Sequence, residues 1–151
     1  MPQPSYLHTI LHHFISMNID GLHLCLKDRY TYQETTKNIF LDKIADIFEA
    51  HRNSGDSRLQ LYVGACDGKE CDNCGKNGYR FVGDHSKNYL DLIFETEGDD
   101  ITDIYSCSEF KTETEIPGLG SGASIWINLD ERSSFPKSAN YWARVYAARD
   151  A

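Results

Sequence analysis

The order in which two hydrophobic periodicities occur constrains the fold of this chain more than any other feature of its sequence. Apolar residues recur at helical spacing over residues 5–17 and again over residues 35–52. Shorter apolar runs separated by turn residues follow, at 58–65, 79–83, 88–96, 101–107 and 123–129. Helices that precede such a meander of strands are typical of an α+β fold. We therefore expect N-terminal helices packed on a curved antiparallel sheet, with a C-terminal strand and helix as an extension.

The first part of the chain contains two clear helices and two ambiguous segments. The apolar stripe of the first helix consists of Leu7, Ile10, Leu11, Phe14 and Met17. Residues 19–28 fit both a strand and a short helix, and we favour a helix capped by Asp20. The Tyr-Thr-Tyr sequence at 30–32 favours a brief strand. Thr35 or Thr36 then starts the long helix.

The longest apolar run predicts the central strand of the sheet. Between residues 88 and 96, apolar side chains fall on both faces, which is typical of a strand inside a sheet. The segment Glu97-Gly-Asp-Asp100 predicts a hairpin turn to the next strand. We expect the long helix to be joined to the sheet by a core of Phe40, Ile44, Phe48, Leu90, Leu92 and Phe94.

Length and charge limit the number of domains and the classes of partner. A chain of 151 residues predicts a single domain over 1–151, with 111–151 as its C-terminal extension. The net charge of −8, without a run of Lys or Arg, argues against nucleic acid or an anionic membrane as partner. No apolar stretch approaches the roughly 20 residues needed to cross a bilayer, and the N-terminus lacks the pattern of a signal peptide. We therefore predict a cytoplasmic protein with reduced thiols.

Three cysteines within nine residues predict a metal site. They are Cys66, Cys71 and Cys74, in a segment that ends Cys-Asp-Asn-Cys-Gly. A Cys-x-x-Cys-Gly turn is typical of a zinc knuckle, since two thiolates converge on one cation and the glycine lets backbone amides approach the sulfur atoms. The sequence thus predicts zinc as the cofactor, and it contains no motif for an organic one.

The sequence leaves the fourth ligand of this site open. Cys107 completes the set by count. The predicted hairpin, however, places Cys107 beside about residue 90, whereas residue 78 starts the preceding strand near its far end. At about 3.3 Å per residue this separation could exceed ~20 Å. A histidine, Asp67, Asp72 or water are therefore alternatives.

Other interpretations of the cysteines and histidines need no metal. The cluster also fits a hairpin with reduced thiols or one local disulfide. It fits a redox pair less well, because Asp72 opposes the low thiol pKa that thiol exchange requires. His8 and His12 lie one helical turn apart, but a solvated helix face accounts for them. Cys25 is most simply a core residue, and His51 at a helix end is expected to contact terminal carbonyls.

The order of the elements resembles the nuclear-transport-factor-2-like (cone-fold, SnoaL-like) superfamily over residues 5–110. The segment Ile19–Phe48 is similar to the second and third helices of that superfamily around a small strand. The segment Tyr89–Tyr105 is similar to its long strand, Asp/Gly turn and returning strand. Neither the cysteine cluster nor the segment after Phe110 is typical of the superfamily.

The resemblance implies an alternative function and a mode of assembly. Cone folds often hold a pocket that would bind a small-molecule ligand or support an isomerase or dehydratase with a buried general base. The polar candidates are Asp28, Tyr30, Tyr32, Asp91 and Asp103. Sheet-face tyrosines and solvated aspartates are the simpler interpretation, so a binding or structural protein is the first hypothesis and a pocket enzyme the alternative. Members of the superfamily commonly pair through the outer sheet face, so we expect a two-fold homodimer unless the C-terminal segment covers that face.

Overall fold

Helices precede strands along the described part of the chain, as the sequence predicts. The computed structural model of the protein describes residues 6–66, 77–107, 110–125 and 127. Within these ranges the helices are α1 (Tyr6–Ile15), α2 (Ile19–Cys25) and α3 (Lys37–Asn53). The strands are β1 (Leu59–Cys66), β2 (Asn77–Gly83), β3 (Tyr89–Glu97), β4 (Asp100–Ser106), β5 (Phe110–Thr112) and β6 (Ser124–Ile125). The predicted α+β class, with helices packed on a curved sheet, is confirmed.

The strands form one sheet in the order β4-β3-β2-β1-β5, in which every neighbouring pair is antiparallel. β6 runs parallel to β3 and pairs with Tyr89 and Leu90, while β4 pairs with β3 from Leu92 onward. β3 is thus an interior strand, as its two apolar faces predict. Glu97 pairs with Asp100 to close the predicted β3–β4 hairpin.

The predicted core joins the helices to one face of the sheet. All six of its residues are buried: Phe40, Ile44, Phe48, Leu90, Leu92 and Phe94. Phe14 of α1 lies at the centre of this core. Its ring meets Phe48 edge-on at a centroid distance of 5.8 Å and stacks on Phe81 of β2 at 5.0 Å. Close aromatic packing of this kind connects α1 and α3 to the sheet.

Side-chain caps fix the starts of the second and third helices. Thr36 precedes α3, and its hydroxyl accepts a hydrogen bond from the Ile39 N–H at 3.4 Å, as predicted. α2 is capped by Asn18, whose Oδ1 accepts from the Gly21 N–H at 3.1 Å. The predicted Asp20 cap is therefore wrong. Asp20 lies in the first turn instead, where a negative charge favours the helix dipole.

The predicted strand at residues 30–32 is also wrong. Tyr32 and Thr35 form only an isolated bridge around a tight turn. Gln33 and Glu34, with φ of 50° and 64°, occupy the left-handed region in that turn. The turn geometry overrides the strand preference of the aromatic residues, which is a weak, context-dependent tendency.

β5 was not expected from the sequence, and its position shows that the sheet is curved. β5 pairs with the Gly64–Cys66 end of β1, yet it starts only four residues after β4 ends at Ser106. In a flat sheet the four strand spacings from β4 to β5 would span about 19 Å. Four residues span at most about 14 Å. The sheet must therefore curl, so that β5 approaches β4 across one of its faces.

Several predictions fall on residues outside the described ranges. These include the predicted C-terminal helix and the predicted ligands Cys71 and Cys74. The division of the chain into one domain with a C-terminal extension stays a prediction.

Phe48→Ala should lower the free energy of unfolding by about 3–5 kcal/mol, because it removes a fully buried ring and leaves a cavity beside Phe14. Leu24→Ala is the matched control. It truncates a side chain that is 87% exposed, so its effect should stay within about 0.5 kcal/mol. Urea unfolding followed by circular dichroism measures both. A loss below about 1 kcal/mol for Phe48→Ala would contradict the assignment of this helix face.

Candidate functional site on the second face of the sheet

The face of the sheet turned away from the helices, here called the second face, carries its own buried residues. Side chains alternate between faces along a strand. Phe81 and Leu92 belong to the core under the helices, so Arg80, Asp91 and Ile93 lie on the opposite side. Charged and sulfur-containing side chains converge with apolar ones there. We therefore treat the second face as the candidate site.

Arg80 and Asp91 form a two-point ion pair across β2 and β3. The Arg80 Nε donates to Asp91 Oδ1 at 2.6 Å, and Nη2 donates to Oδ2 at 3.0 Å. The side chains are only 11% and 8% exposed. Burial raises the pKa of Asp91, and the hydrogen bonds and charge of Arg80 counteract that rise. The carboxylate thus depends on Arg80 to remain charged in this environment.

The guanidinium of Arg80 also holds the first residue of β5. It lies 4.5 Å from the ring centroid of Tyr89 and 5.4 Å from that of Phe110. Its Nη2 donates to the Phe110 carbonyl oxygen at 3.4 Å. A cation over an aromatic face is attracted by the ring quadrupole. Arg80 therefore contacts Phe110 through both its ring and its backbone.

Two glycines make room for the Phe110 ring. A Cβ atom on Gly78 would lie 2.7 Å from that ring and from Ile93 Cδ1, and a Cβ on Gly64 would lie 2.6 Å from the ring. Real Cβ atoms essentially never approach another atom within 3.0 Å. Any side chain at either position would displace Phe110 from the sheet.

Cys66 and Cys107 belong to one apolar cluster on the second face, here called the thiol cluster. Its other members are Ile93, Tyr105 and Phe110. Cys66 is 4% exposed and Cys107 is 8% exposed. The Cys107 N–H donates to the Asp91 carbonyl oxygen at 3.2 Å, and Cys66 is the cross-strand partner of Phe110. The ion pair is thus connected to both cysteines, to one through Asp91 and to the other through Phe110.

Only one of the three predicted zinc ligands lies in a described segment. Cys66 ends β1, whereas Cys71 and Cys74 lie outside the described residues. In the part of the chain that the structure describes, no group of three or more His, Cys, Asp or Glu side chains is placed to hold a metal ion. The zinc site therefore stays a prediction.

The separation between Cys107 and the predicted ligands Cys71 and Cys74 stays a prediction, because those two residues lie outside the described ranges, but the strand register from which it was estimated is wrong at Gly78. Cys107 lies beside Asp91, close to the expected residue 90. Gly78, however, pairs with Ile93 in the middle of β3 and not near its far end at Glu97. The short β2–β3 connection sets this register.

Two of the predicted catalytic candidates have ordinary structural surroundings. Asp28 is exposed and lies 3.4 Å from the Lys37 Nζ. Tyr32 is fully buried, and its hydroxyl accepts from the Lys27 N–H at 3.1 Å and lies 3.4 Å from the Ile101 carbonyl oxygen. Burial raises the pKa of Tyr32. Neither residue is placed as a general base.

Tyr30 takes part in a cluster that the sequence analysis missed. Its hydroxyl donates to Asp100 Oδ2 at 2.8 Å, and Arg29 donates to the same oxygen at 2.7 Å. Lys27 donates to Asp100 Oδ1 at 2.6 Å. The hydrogen bonds from Lys27, Tyr30 and Arg29 lower the pKa of Asp100 to about 2. Asp100 thus ties the α2–α3 connection to the β3–β4 turn.

Asp103 forms a second contact between that connection and β4. Its Oδ1 accepts from the backbone N–H groups of Gln33 and Ile104, each at 2.8 Å. Gln33 in turn accepts from the Ser106 N–H at 2.8 Å and donates to the Ile127 carbonyl oxygen at 2.7 Å. Burial raises the pKa of Asp103. These bonds satisfy backbone groups along the edge of the sheet.

His51 forms a buried pair with Asp56 and not the predicted contacts through its ring to terminal carbonyls. Its Nδ1 lies 2.7 Å from Asp56 Oδ2, and both side chains are fully buried. Gly55, with φ of 92°, adopts the left-handed conformation that commonly ends a helix. It turns the chain so that Asp56 comes back to the last turn of α3.

Asp56 also binds the connection between β2 and β3. Its Oδ1 accepts from the N–H groups of His85 at 2.8 Å and Ser86 at 2.6 Å, and its Oδ2 accepts from the Ser86 hydroxyl at 2.6 Å. Burial would raise the pKa of Asp56, but the hydrogen bonds from His51, Ser86 and His85 outweigh it and lower this pKa to about 2.

His51, Asp56 and Ser86 are the residue types of a hydrolase triad without its geometry. In a triad the serine hydroxyl is bonded to histidine, whereas Ser86 donates to Asp56. The His51 Nε2 is buried and has no hydrogen-bond partner within the described ranges. We conclude that this trio connects α3 to the sheet and does not activate a nucleophile.

In comparisons with family models, curated proteins and solved structures, nothing matches this chain. None of the described helices is long and apolar enough to cross a membrane.

Asp91→Asn should lower the free energy of unfolding by about 3–5 kcal/mol, because it leaves the Arg80 charge buried without a counter-charge. The double variant Arg80→Met with Asp91→Leu should recover most of this loss, since apolar side chains often replace a buried ion pair at little cost. Urea unfolding measures all three proteins. A double variant no more stable than Asp91→Asn would contradict this account.

The lowered pKa of Asp56 predicts an acid-sensitive contribution to stability. The folded pKa of about 2 lies below the ordinary value of 3.8. The contribution is therefore fully present above about pH 4 and is lost as the pH falls through 2; its size is about 2–3 kcal/mol. Asp56→Asn should be less stable than the parent protein at pH 7, and the difference should shrink towards pH 2. Asp99→Asn, in the exposed β3–β4 turn, is the control. A difference that is constant with pH would rule out this role for Asp56.

Proposed function

We propose that this chain is a small binding or structural protein in which Cys66, Cys71 and Cys74 hold a structural zinc ion. The position of Cys66 supports the proposal. It ends β1 at a buried point opposite the start of β5, within the thiol cluster. A metal bound there would connect the cysteine segment to the sheet. Thiolates are the usual ligands of closed structural zinc sites.

The surroundings of Cys66 suit a structural zinc better than a catalytic one. Catalytic zinc keeps one coordination position open to water or substrate. Cys66 is buried among Ile93, Tyr105 and Phe110, which limit the access of water.

The pocket enzyme and the small-molecule ligand stay predictions, as does membership of the cone-fold superfamily. The α+β arrangement is compatible with that superfamily. Asp91 and Asp103, the buried or half-buried carboxylates among the candidates, are already engaged by Arg80 and by backbone N–H groups. This engagement gives the enzyme alternative less support than the zinc hypothesis.

The two-fold homodimer also stays a prediction, and the second face gives it little support. The sequence suggested that apolar residues on this face need a cover. Val82 and Ile93 are fully buried and Tyr105 is partly buried within a single chain. These three residues therefore do not need a second subunit as a cover.

Protein purified without added zinc should contain about one zinc ion per chain, and a chelator should lower its melting temperature, because zinc binding in a structural site contributes to the free energy of folding. Elemental analysis by mass spectrometry and thermal unfolding measure the two effects. Cys25→Ser is the matched control, since Cys25 packs against the core under the helices. Metal-free protein with chelator-independent stability would reject the proposal.

A further inference from the structure

We infer that the outer edge of β4 is a surface for strand pairing with a second copy of this chain, and that the side chains of Gln33 and Asp103 keep this surface closed. The inference goes beyond the proposed function and does not depend on it, because the β4 edge involves no zinc ligand. Three observations carry it: the direction of two N–H groups in β4, the partners that these groups have, and the turn that places Gln33.

The first observation is that two N–H groups of β4 point away from the sheet. Within the described ranges β4 has a strand neighbour on one side only, which is β3. The Cys107 N–H donates to the Asp91 carbonyl oxygen of β3 at 3.2 Å. Successive N–H groups of a strand point in alternate directions, so those of Ile104 and Ser106 point outward. Outward N–H groups on an edge strand are a template for pairing with another chain.

The second observation is that side chains already occupy both outward N–H groups. The Ile104 N–H donates to Asp103 Oδ1 at 2.8 Å, and the Ser106 N–H donates to Gln33 Oε1 at 2.8 Å. The Gln33 Nε2 donates in turn to the Ile127 carbonyl oxygen at 2.7 Å. The carboxamide of Gln33 therefore takes the position that a peptide group of a neighbouring strand would fill.

The α2–α3 connection also covers the first half of β4. The Tyr30 hydroxyl donates to Asp100 Oδ2 at 2.8 Å, and the Tyr32 hydroxyl lies 3.4 Å from the Ile101 carbonyl oxygen. Residues 30–33 therefore follow β4 along its length. A second strand would pair with this edge only after these residues had been displaced from it.

The third observation is the unfavourable turn that places Gln33 on the edge. Tyr32 and Thr35 pair around a two-residue turn, with N–H···O distances of 2.9 and 3.1 Å. Gln33 and Glu34 in this turn have φ of 50° and 64°, a conformation that favours Gly or Asn. Gly has no side chain, and the side chain of Asn is one carbon shorter than that of Gln. Glutamine is thus a poor residue for the turn, but its amide is long enough to reach Ser106.

A second copy of the chain is the partner that fits this edge. Two copies with open edges would pair antiparallel about a two-fold axis at Tyr105, with Ile104 of each chain opposite Ser106 of the other. The outward N–H and C=O groups of these two residues would then form four hydrogen bonds. Such an edge is complementary to itself, and a two-fold interface closes after two chains.

The test compares Gln33→Gly with the matched control Glu34→Gly. Both substitutions replace a left-handed residue of the same turn with glycine, but only the first removes the side chain bonded to Ser106. In a reducing buffer, size exclusion with light scattering should show that the mass of Gln33→Gly rises with concentration towards twice the parent value. Glu34→Gly should keep the parent mass. An unchanged mass for folded Gln33→Gly would overturn the inference and leave these bonds with a role in stability alone.

A second substitution tests whether the β4 edge is the surface through which the variant associates. Ser106→Pro removes the outward N–H, and proline is tolerated in edge strands where that N–H would face away from the sheet. Gln33→Gly combined with Ser106→Pro should therefore return to the parent mass. A folded double variant that still associates would show that another surface is responsible, which would overturn the inference.

A measurement on the parent protein covers the case in which a variant does not fold. Amide hydrogen exchange followed by NMR reports each N–H group separately. The Ile104 and Ser106 amides should exchange as slowly as the Tyr105 amide, which points towards β3, because their bonds to Asp103 and Gln33 are part of the fold. Slow exchange would support the closed edge. Fast exchange at Ile104 and Ser106 alone would show an open edge and would overturn the inference.

Discussion

The buried ion pair between Arg80 and Asp91 is the interaction on which the second face of the sheet depends. An unpaired charge at this depth would cost several kcal/mol, and only the two-point geometry at 2.6 and 3.0 Å offsets the loss of hydration. The same guanidinium holds Phe110, and the backbone of Asp91 holds Cys107. Hydrophobic burial is non-directional. In our interpretation the ion pair supplies the directional contact, because it determines the position of β5 and of the side chains packed under it on the second face.

Three buried or half-buried carboxylates perform three similar tasks at different places in the fold. Asp91 joins β3 to β2 through Arg80, Asp56 joins the end of α3 to the β2–β3 connection, and Asp100 joins the α2–α3 connection to the β3–β4 turn. Each collects several donors, so each is stabilised as an anion by partners that a folded chain alone can assemble. The direction of each pKa shift depends on whether the hydrogen bonds to the carboxylate outweigh the effect of burial. Asp56 and Asp100 have pKa values lowered to about 2, whereas burial dominates at Asp91 and raises its pKa.

The sequence predicts those parts of the fold that depend on local periodicity. The stripe of α3, the interior position of β3 and the turn before Asp100 all follow from residues within one element or its neighbour. β5 has only three residues, which is too short for a periodic signal, and its pairing with β1 depends on the curl of the whole sheet. The partners of Asp100 lie about 70 positions earlier in the chain, so no local pattern could identify them. His51 was misassigned for the opposite reason, because the nearby Asp56 competes more strongly than carbonyl groups for its ring.

The candidate site shows the same division between local and distant information. The clustering of Cys66, Cys71 and Cys74 is visible in the sequence, and the position of Cys107 beside Asp91 follows closely from the predicted β3–β4 hairpin. The β2–β3 register is harder to predict, since Gly78 pairs with Ile93 in the middle of β3 and not near its far end. A small core cysteine such as Cys25 needs only apolar neighbours. Cys107 and Phe110, the cross-strand partner of Cys66, also contact the Arg80–Asp91 ion pair, and these two charged residues become neighbours only through the β2–β3 register.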